Sequence, residues 1–209
     1  MLEKLPESVG NILLGQRAGI ESVTFNKLLF SRPMVQLEIL STAFKNLHRI
    51  PVMYTADGNG ISPPLEWYRV PAFADRVVLI VEDADSPTPQ PLVHAIAVFE
   101  GSNGSVETGA LASPHHEGAG VATGINSFLR HAWLPPDPPP GHGEHRYVFQ
   151  IFALKDSPDF SSGLGRGELT EAVMTHAVAA GFIVGIYSRE QKIDDAIEMA
   201  VSGSELITN

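Results

Sequence analysis

The chain contains no cysteine, which excludes disulfides, thiolate nucleophiles and sulfur-bound metals. It contains no run approaching the roughly 18 apolar residues that a membrane-spanning helix requires. Basic residues are few. Fourteen Lys and Arg against 24 Asp and Glu give a net charge of -10, a field that repels a nucleic-acid backbone. The stretch Met1–Pro6 shows no basic region leading into an apolar one, so a cytoplasmic location is expected. Also missing are a Gly-x-Ser-x-Gly nucleophile elbow, a Walker-A loop, a dinucleotide fingerprint and a His-Glu-x-x-His metal motif. Gly163–Gly167 is glycine-rich, but no strand leads into it and no Lys-Ser/Thr follows, so it reads as the loop opening a helix. Asn103-Gly-Ser105 reads as a turn. No cofactor is implied, and no metal site is expected.

What the chain does have is punctuation: 19 glycines and 16 prolines in 209 residues, which favours short strands and turns over long helices. Val35–Leu40 alternates apolar and polar residues, as a strand with one wet face should. Val77–Val81 and His94–Phe99 are continuously apolar, which predicts burial on both faces. Arg146–Leu154 is predicted to turn Tyr147, Phe149, Ile151 and Ala153 to one side and Val148, Gln150 and Phe152 to the other. Turn clusters separate these runs, among them Asp57–Gly60, Ser62–Pro64 and Asp137–Gly141. Helical spacing appears in residues 1–31, through Val9, Ile12, Leu13, Gln16, Ile20 and Val23. It returns in Glu168–Ala180 and Ile193–Val201, with a short strand at Phe182–Tyr187 between them. The expected fold is mainly β with flanking helices: an N-terminal helical extension over residues 1–34, a β-sandwich domain over 35–189 and a C-terminal helical tail over 190–209.

Ionisable residues gather where apolar strands meet Pro/Gly-rich loops. Asp83 and Asp85 close the first such strand. Their i, i+2 spacing puts both on one face, where adjacent carboxylates repel unless a cation or donor intervenes. Asp83 is expected at a ligand site. Asp85, followed by Ser86-Pro87, is expected to order the loop or pair with Arg146, giving Arg146 a structural role. His94 and His145 stand at strand starts, and Tyr147 shares a face with His145. Imidazole donors and a phenol hydroxyl suit phosphate or carboxylate oxygens. His142, three residues before His145, raises the idea of a metal site with Asp83 and His94, but no compact ligand motif supports it. His115-His116 is expected in a solvated loop.

Asp83-Ala-Asp85-Ser-Pro87, His94 and Pro138-Pro-Pro-Gly141-His-Gly-Glu-His145-Arg146-Tyr147 resemble, in order, the signature loops of the phosphatidylethanolamine-binding protein family, in its bacterial Raf-kinase-inhibitor-like branch. Ile61–Trp67 and Ala179–Tyr187 extend the resemblance, which runs from Val35 to Arg189. It implies a Greek-key β-sandwich with a small cavity for phosphate-type head groups and other anions. The matching positions are Asp83, His94, His145 and Tyr147, with Asp85, Pro87, Pro139 and Gly141 in the binding loops. It also makes a homodimer reasonable. Kinase regulation belongs to particular family members, and nothing in this chain reads as a kinase-docking surface. The chain departs from the family at Ala95, where Trp is frequent, at Asp137 and Pro140 beside the second loop, and in the long apolar segment Asn126–Asp137.

Three functions fit these residues. The first is a binding protein for a small anionic or zwitterionic ligand such as a phosphate, a phospholipid head group or a carboxylate. The second is an acid–base enzyme for dehydration, isomerisation or cyclisation of an anionic metabolite, with His94 or His145 as base and Tyr147 as acid. The third is an interaction protein with a vestigial pocket, whose N-terminal helix and Phe128–Pro136 loop meet a partner.

Overall fold

The computed structural model describes residues 6–29, 34–111, 122–160 and 164–189. The helix expected at Ile193–Val201 and the pair His115-His116 lie outside the described residues.

Two sheets face each other. The larger has the strand order β1 (Val35–Gln36), β10 (Ala177–Tyr187), β9 (His145–Leu154), β5 (Arg76–Asp83), β6 (Leu92–Glu100) and β8 (Ala122–Thr123), with β3 (His48–Arg49) also pairing β10. The smaller consists of β2 (Glu38–Leu40), β4 (Leu65–Tyr68) and β7 (Ser105–Val106). The three long neighbours β10, β9 and β5 run antiparallel, β5 with β9 in continuous register and β10 with β9 in register from Ala179 onward, which sets Asp83 opposite Tyr147 and His145 opposite Tyr187. The site's strand ends are therefore set side by side by the ladder itself.

The period-2 reading of β9 decides which side chains meet. Tyr147, Phe149, Ile151 and Ala153 lie in the core between the sheets, with Trp67, Leu65 and Ile39 of the small sheet. Val148 and Phe152 lie on the other face, under α2 (Thr24–Leu29) and α3 (Arg166–His176), where Phe25, Leu28, Leu169 and Val173 pack. Both faces of the large sheet are thus dry, which is why β5 and β6 show no polar alternation.

The helical segments are shorter than their spacing predicts. The N-terminal segment forms α1 (Glu7–Leu13), a 3-10 turn at Ile20–Ser22 and α2, because Gly15 and Gly19 interrupt it. α3 ends at His176, and Ala177–Ala180 continue as strand rather than helix. Pairing of Ala177 with Leu154 and of Ala179 with Ala153 overrides alanine's helix preference. Gly181 is required there, since a Cβ would lie 2.5 Å from the Leu37 carbonyl oxygen of the crossing segment. That crossing also splits the expected Val35–Leu40 strand: Leu37 donates to Ala180 O and leaves β1 on the large sheet and β2 on the small one.

Candidate functional site

The polar cluster forms at one end of the large sheet, on the face between the sheets. Asp83 continues the Leu79, Val81 face of β5, and His145 continues the Tyr147, Phe149 face of β9. His94 reaches the same place by a different route. The β5–β6 ladder pairs Val81 with Ala95 and Glu82 with Val93, so His94 is the extra residue of a β-bulge. Regular alternation back from Phe99 would send position 94 to the helical side with Ile96 and Val98. The bulge turns its ring instead toward Tyr147 (5.1 Å between centroids, edge-on) and Trp133 (6.2 Å).

These groups border a cavity of about 170 Å³ lined by Asp83, Pro87, His94, Pro139 and His145, with Trp133, Leu134, Phe128 and Arg130 from the Asn126–Asp137 loop. The loop is fixed as a wall: Leu134 N–H donates to His94 O, Trp133 stacks on Phe149, and Ala56 N–H donates to Pro136 O. Arg189 closes the wall by bonding Asp57, Asp137 and the Pro138 carbonyl.

Hydrogen bonding assigns the protons. His94 Nδ1 lies 2.6 Å from the Leu134 carbonyl and donates to it, so a neutral ring presents Nε2 as a bare acceptor. Burial pushes His94 below its ordinary pKa, against the raising influence of Asp83, which favours that neutral ring. His94 Nε2, the Tyr147 hydroxyl and Trp133 Nε1 are buried without a partner among the described residues. Burial, then Asp83 and Asp137, hold the Tyr147 phenol protonated. Asp83 accepts from His145 Nδ1 at 2.8 Å and from Asp85 N–H at 2.9 Å.

The other sequence-derived residues fall into place around this frame. Tyr147 does not line the cavity; it backs His94 and stacks on His145. Asp85 faces away and receives Arg146 Nε at 2.7 Å, Nη2 at 2.7 Å and the Arg146 N–H at 2.9 Å, with Arg17 at 3.0 Å. Burial opposes its charge, but these donors hold its pKa down to about 2. Gly141, expected in a binding loop, does not line the cavity: its φ of +78° and a Cβ position 2.6 Å from Glu7 O fit it beneath α1. His142 lies behind His145, away from the cavity lining. Arg130 is the only Lys or Arg between Asn126 and Asp137, a lone charge that no motif marks in the sequence. Among the described residues no cluster of three or more His, Asp or Glu is set to hold a metal ion, and no helix is long and apolar enough to cross a membrane.

The chain is similar to known proteins in sequence and in fold. The phosphatidylethanolamine-binding protein model matches residues 40–188. A UPF0098 protein of Aquifex aeolicus is 35% identical over 170 residues, covering 81% of this chain and 98% of its own length. A UPF0098 protein of Pyrococcus horikoshii is 34% identical over 156 residues, covering 72% and 76%. Among solved structures, the phosphatidylethanolamine-binding protein homologue CT736 of Chlamydia trachomatis superposes with a TM-score of 0.66 at 30% identity, over 74% of this chain and 99% of that one. Escherichia coli YbcL, at 21% identity and a TM-score of 0.69 over 74% and 99%, shares the fold. With the model match running from β2 to the end of β10 and taking in all four strand-end residues, the chain belongs to the phosphatidylethanolamine-binding protein family.

Proposed function

We propose that the protein binds a small ligand through an acidic oxy-group, phosphate or carboxylate, held in the cavity beside His94, with Asp83, His145 and Tyr147 forming the polar floor. The observation that carries this reading is the set of buried orphans. His94 Nε2 and Trp133 Nε1 forgo hydrogen bonds on residues that line the cavity, and the Tyr147 hydroxyl does so behind His94. Each such group costs about 1–3 kcal/mol, a cost that a bound oxy-anion would remove. Together they offer one obligate donor, one acceptor and one hydroxyl that can be either. A partly protonated oxy-acid matches that set, giving its O–H to His94 and receiving from Trp133 and Tyr147.

The amine of a zwitterion finds less support. Asp83 is occupied by His145 and Asp85, and Asp137 by Arg189, so neither carboxylate of the lining is held ready for a cation. Arg130, exposed at the lining, adds positive charge at the mouth. The apolar wall of Phe128, Trp133, Leu134 and Pro138 suits a ligand whose oxy-group is attached to a hydrocarbon portion.

The test is a thermal-shift and calorimetric screen of inorganic phosphate, carboxylates and head-group phosphates on the wild type and on His94→Leu. A ligand present at 100 times its dissociation constant should stabilise the wild type by about 2.7 kcal/mol. The gain should vanish in the variant. A gain of equal size in both would place the ligand elsewhere.

One observation favours the second reading, an acid–base enzyme. The Leu134 carbonyl fixes the His94 tautomer, leaving Nε2 as an oriented base with a lowered pKa. Turnover that is lost in His94→Gln, with binding retained, would decide for it.

A further inference from the structure

Behind the pocket, the N-terminal segment closes over the Pro138–Glu144 loop. Gly10 lies against Pro140, whose carbonyl oxygen would be 1.9 Å from any Cβ at that position. Arg17 donates to the carbonyls of Glu144 (2.8 Å) and His142 (2.9 Å), and Ala18 and Gly19 donate to Ser86 O and Ala84 O. Within this contact His142 Nε2 lies 2.7 Å from the Leu13 carbonyl, and His142 Nδ1 lies 2.6 Å from His145 Nε2. His145 Nδ1 in turn lies 2.8 Å from Asp83 Oδ2. A chain of hydrogen bonds therefore runs from the N-terminal segment through two imidazoles to a carboxylate at the cavity.

The chain's protons can be counted. A carbonyl only accepts, so His142 Nε2 carries hydrogen and its neutral ring turns a lone pair toward His145. At 2.6 Å two nitrogens need a proton between them, so His145 Nε2 carries hydrogen as well. The contact of His145 Nδ1 with Asp83 then needs a third proton, on one group or the other. Two neutral imidazoles and a carboxylate supply only two protons. The chain as built holds one more.

We propose that His142 is a positioning residue through which the docked N-terminal segment stores one extra proton on the Asp83–His145 pair, making the pocket floor neutral rather than anionic. If the Leu13 carbonyl withdraws, His142 can flip tautomer and donate from Nδ1 to His145. His145 then satisfies Asp83 from Nδ1 alone, and the chain closes with one proton fewer and a full negative charge. An arriving oxy-anion would meet that charge; in the docked state it does not. This consequence for ligands rests on the anion-binding reading above, whereas the proton count does not.

The surrounding groups keep the extra proton off His142. Burial, His145 and the Arg17 guanidinium push His142 below its ordinary pKa against the Leu13 carbonyl, which keeps a second proton off its ring. Arg17 and Arg146 are themselves paired with Asp85 beside the chain. On the cavity side, Asp83 and Asp137 favour a proton on neighbouring groups, while His94 remains neutral through burial.

The experiment is long-range ¹H–¹⁵N correlation of the imidazoles, with ¹³C detection of the Asp83 carboxyl, on the ligand-free full chain between pH 5 and 9. Wild type is compared with Gly10→Val, which cannot seat α1 on Pro140, and with His142→Leu, which keeps the contact apolar but cuts the chain. The wild type should show His142 protonated at Nε2 and three protons shared across His142, His145 and Asp83 at neutral pH. In Gly10→Val the count should fall to two protons at neutral pH, and in His142→Leu the Asp83–His145 pair should likewise show a loss of one. Two protons in the wild type, or the extra proton retained in both variants, would overturn the proposal. Phosphate titrated into the same samples at pH 6 and 8 separates the two claims. If no phosphate binds, the binding reading falls while the proton count stands or falls on the nitrogen shifts alone.

Discussion

Two carboxylates follow one another at the end of β5 and point to opposite faces of the sheet. Glu82 lies on the helical side, where Thr24 N–H, Gln150 Nε2 and Arg166 Nε converge on it at 2.7–2.9 Å. Asp83 lies between the sheets, beside His94 Nε2 and a Tyr147 hydroxyl that have no partner among the described residues. Both carboxylates are buried, and the difference lies in how far their surroundings are satisfied. Among the described residues around Glu82 only the Thr24 hydroxyl is left over, and its cluster ties α2 and α3 to the sheet. Around Asp83 the unmet His94 borders a cavity, and the unmet Tyr147 hydroxyl lies behind it. A complete polar cluster holds elements together, whereas an incomplete one gives up stability to keep atoms ready for a ligand.

The contrast can be broken most severely at Glu82. Arg166→Met leaves a buried carboxylate without its cation and should cost about 3–5 kcal/mol in urea unfolding, with ligand response intact in the folded protein. A loss under 1 kcal/mol would remove the distinction. Asp85 belongs with Glu82 in this scheme, because its partners hold its pKa down to about 2. A depressed carboxylate contributes stability above its unfolded pKa, and that contribution disappears as pH falls from about 4 to about 2. Roughly 1–2 kcal/mol should be lost over that window after allowing for solvent at Arg146, and Asp85→Asn should flatten that part of the acid profile. On the Asp83 side the sign reverses. Tyr147→Phe deletes an unpartnered hydroxyl and should gain about 1 kcal/mol by calorimetry while losing ligand stabilisation. The smallest effect is expected at the mouth. Arg130→Ala should weaken phosphate binding by about 2–5-fold at low salt, with the difference fading by about 0.5 M salt and stability unchanged within about 0.5 kcal/mol.

Much of this frame is legible in the residues themselves. The period-2 pattern of Arg146–Leu154 assigns both faces of β9, and the i, i+2 spacing of His145 and Tyr147 puts them together. The salt bridge of Asp85 with Arg146 follows from a carboxylate in a turn facing a nearby guanidinium. His94 is different. Its side is set by a bulge, a mismatch between two strands that neither strand's own pattern encodes. Gly141 and His142 sit in a Pro/Gly loop that reads as a pocket rim, but what they contact is α1, more than 120 residues earlier in the chain. The strand start at Ala177 is hidden for the same reason: alanine is a helix former until β9 offers it a ladder.

The pocket's two outer braces come from opposite ends of the described chain. Arg17 holds the loop behind His145, and Arg189, just past β10, holds the wall at Asp137 and Pro138. A nascent chain emerging from the ribosome therefore carries Asp83, His94, His145 and Tyr147 long before it can hold a ligand. Until β10 has been made and paired, the wall lacks its brace at Asp137 and Pro138. On the proposed reading, ligand capture would report on a paired β10 as much as on the presence of the four side chains.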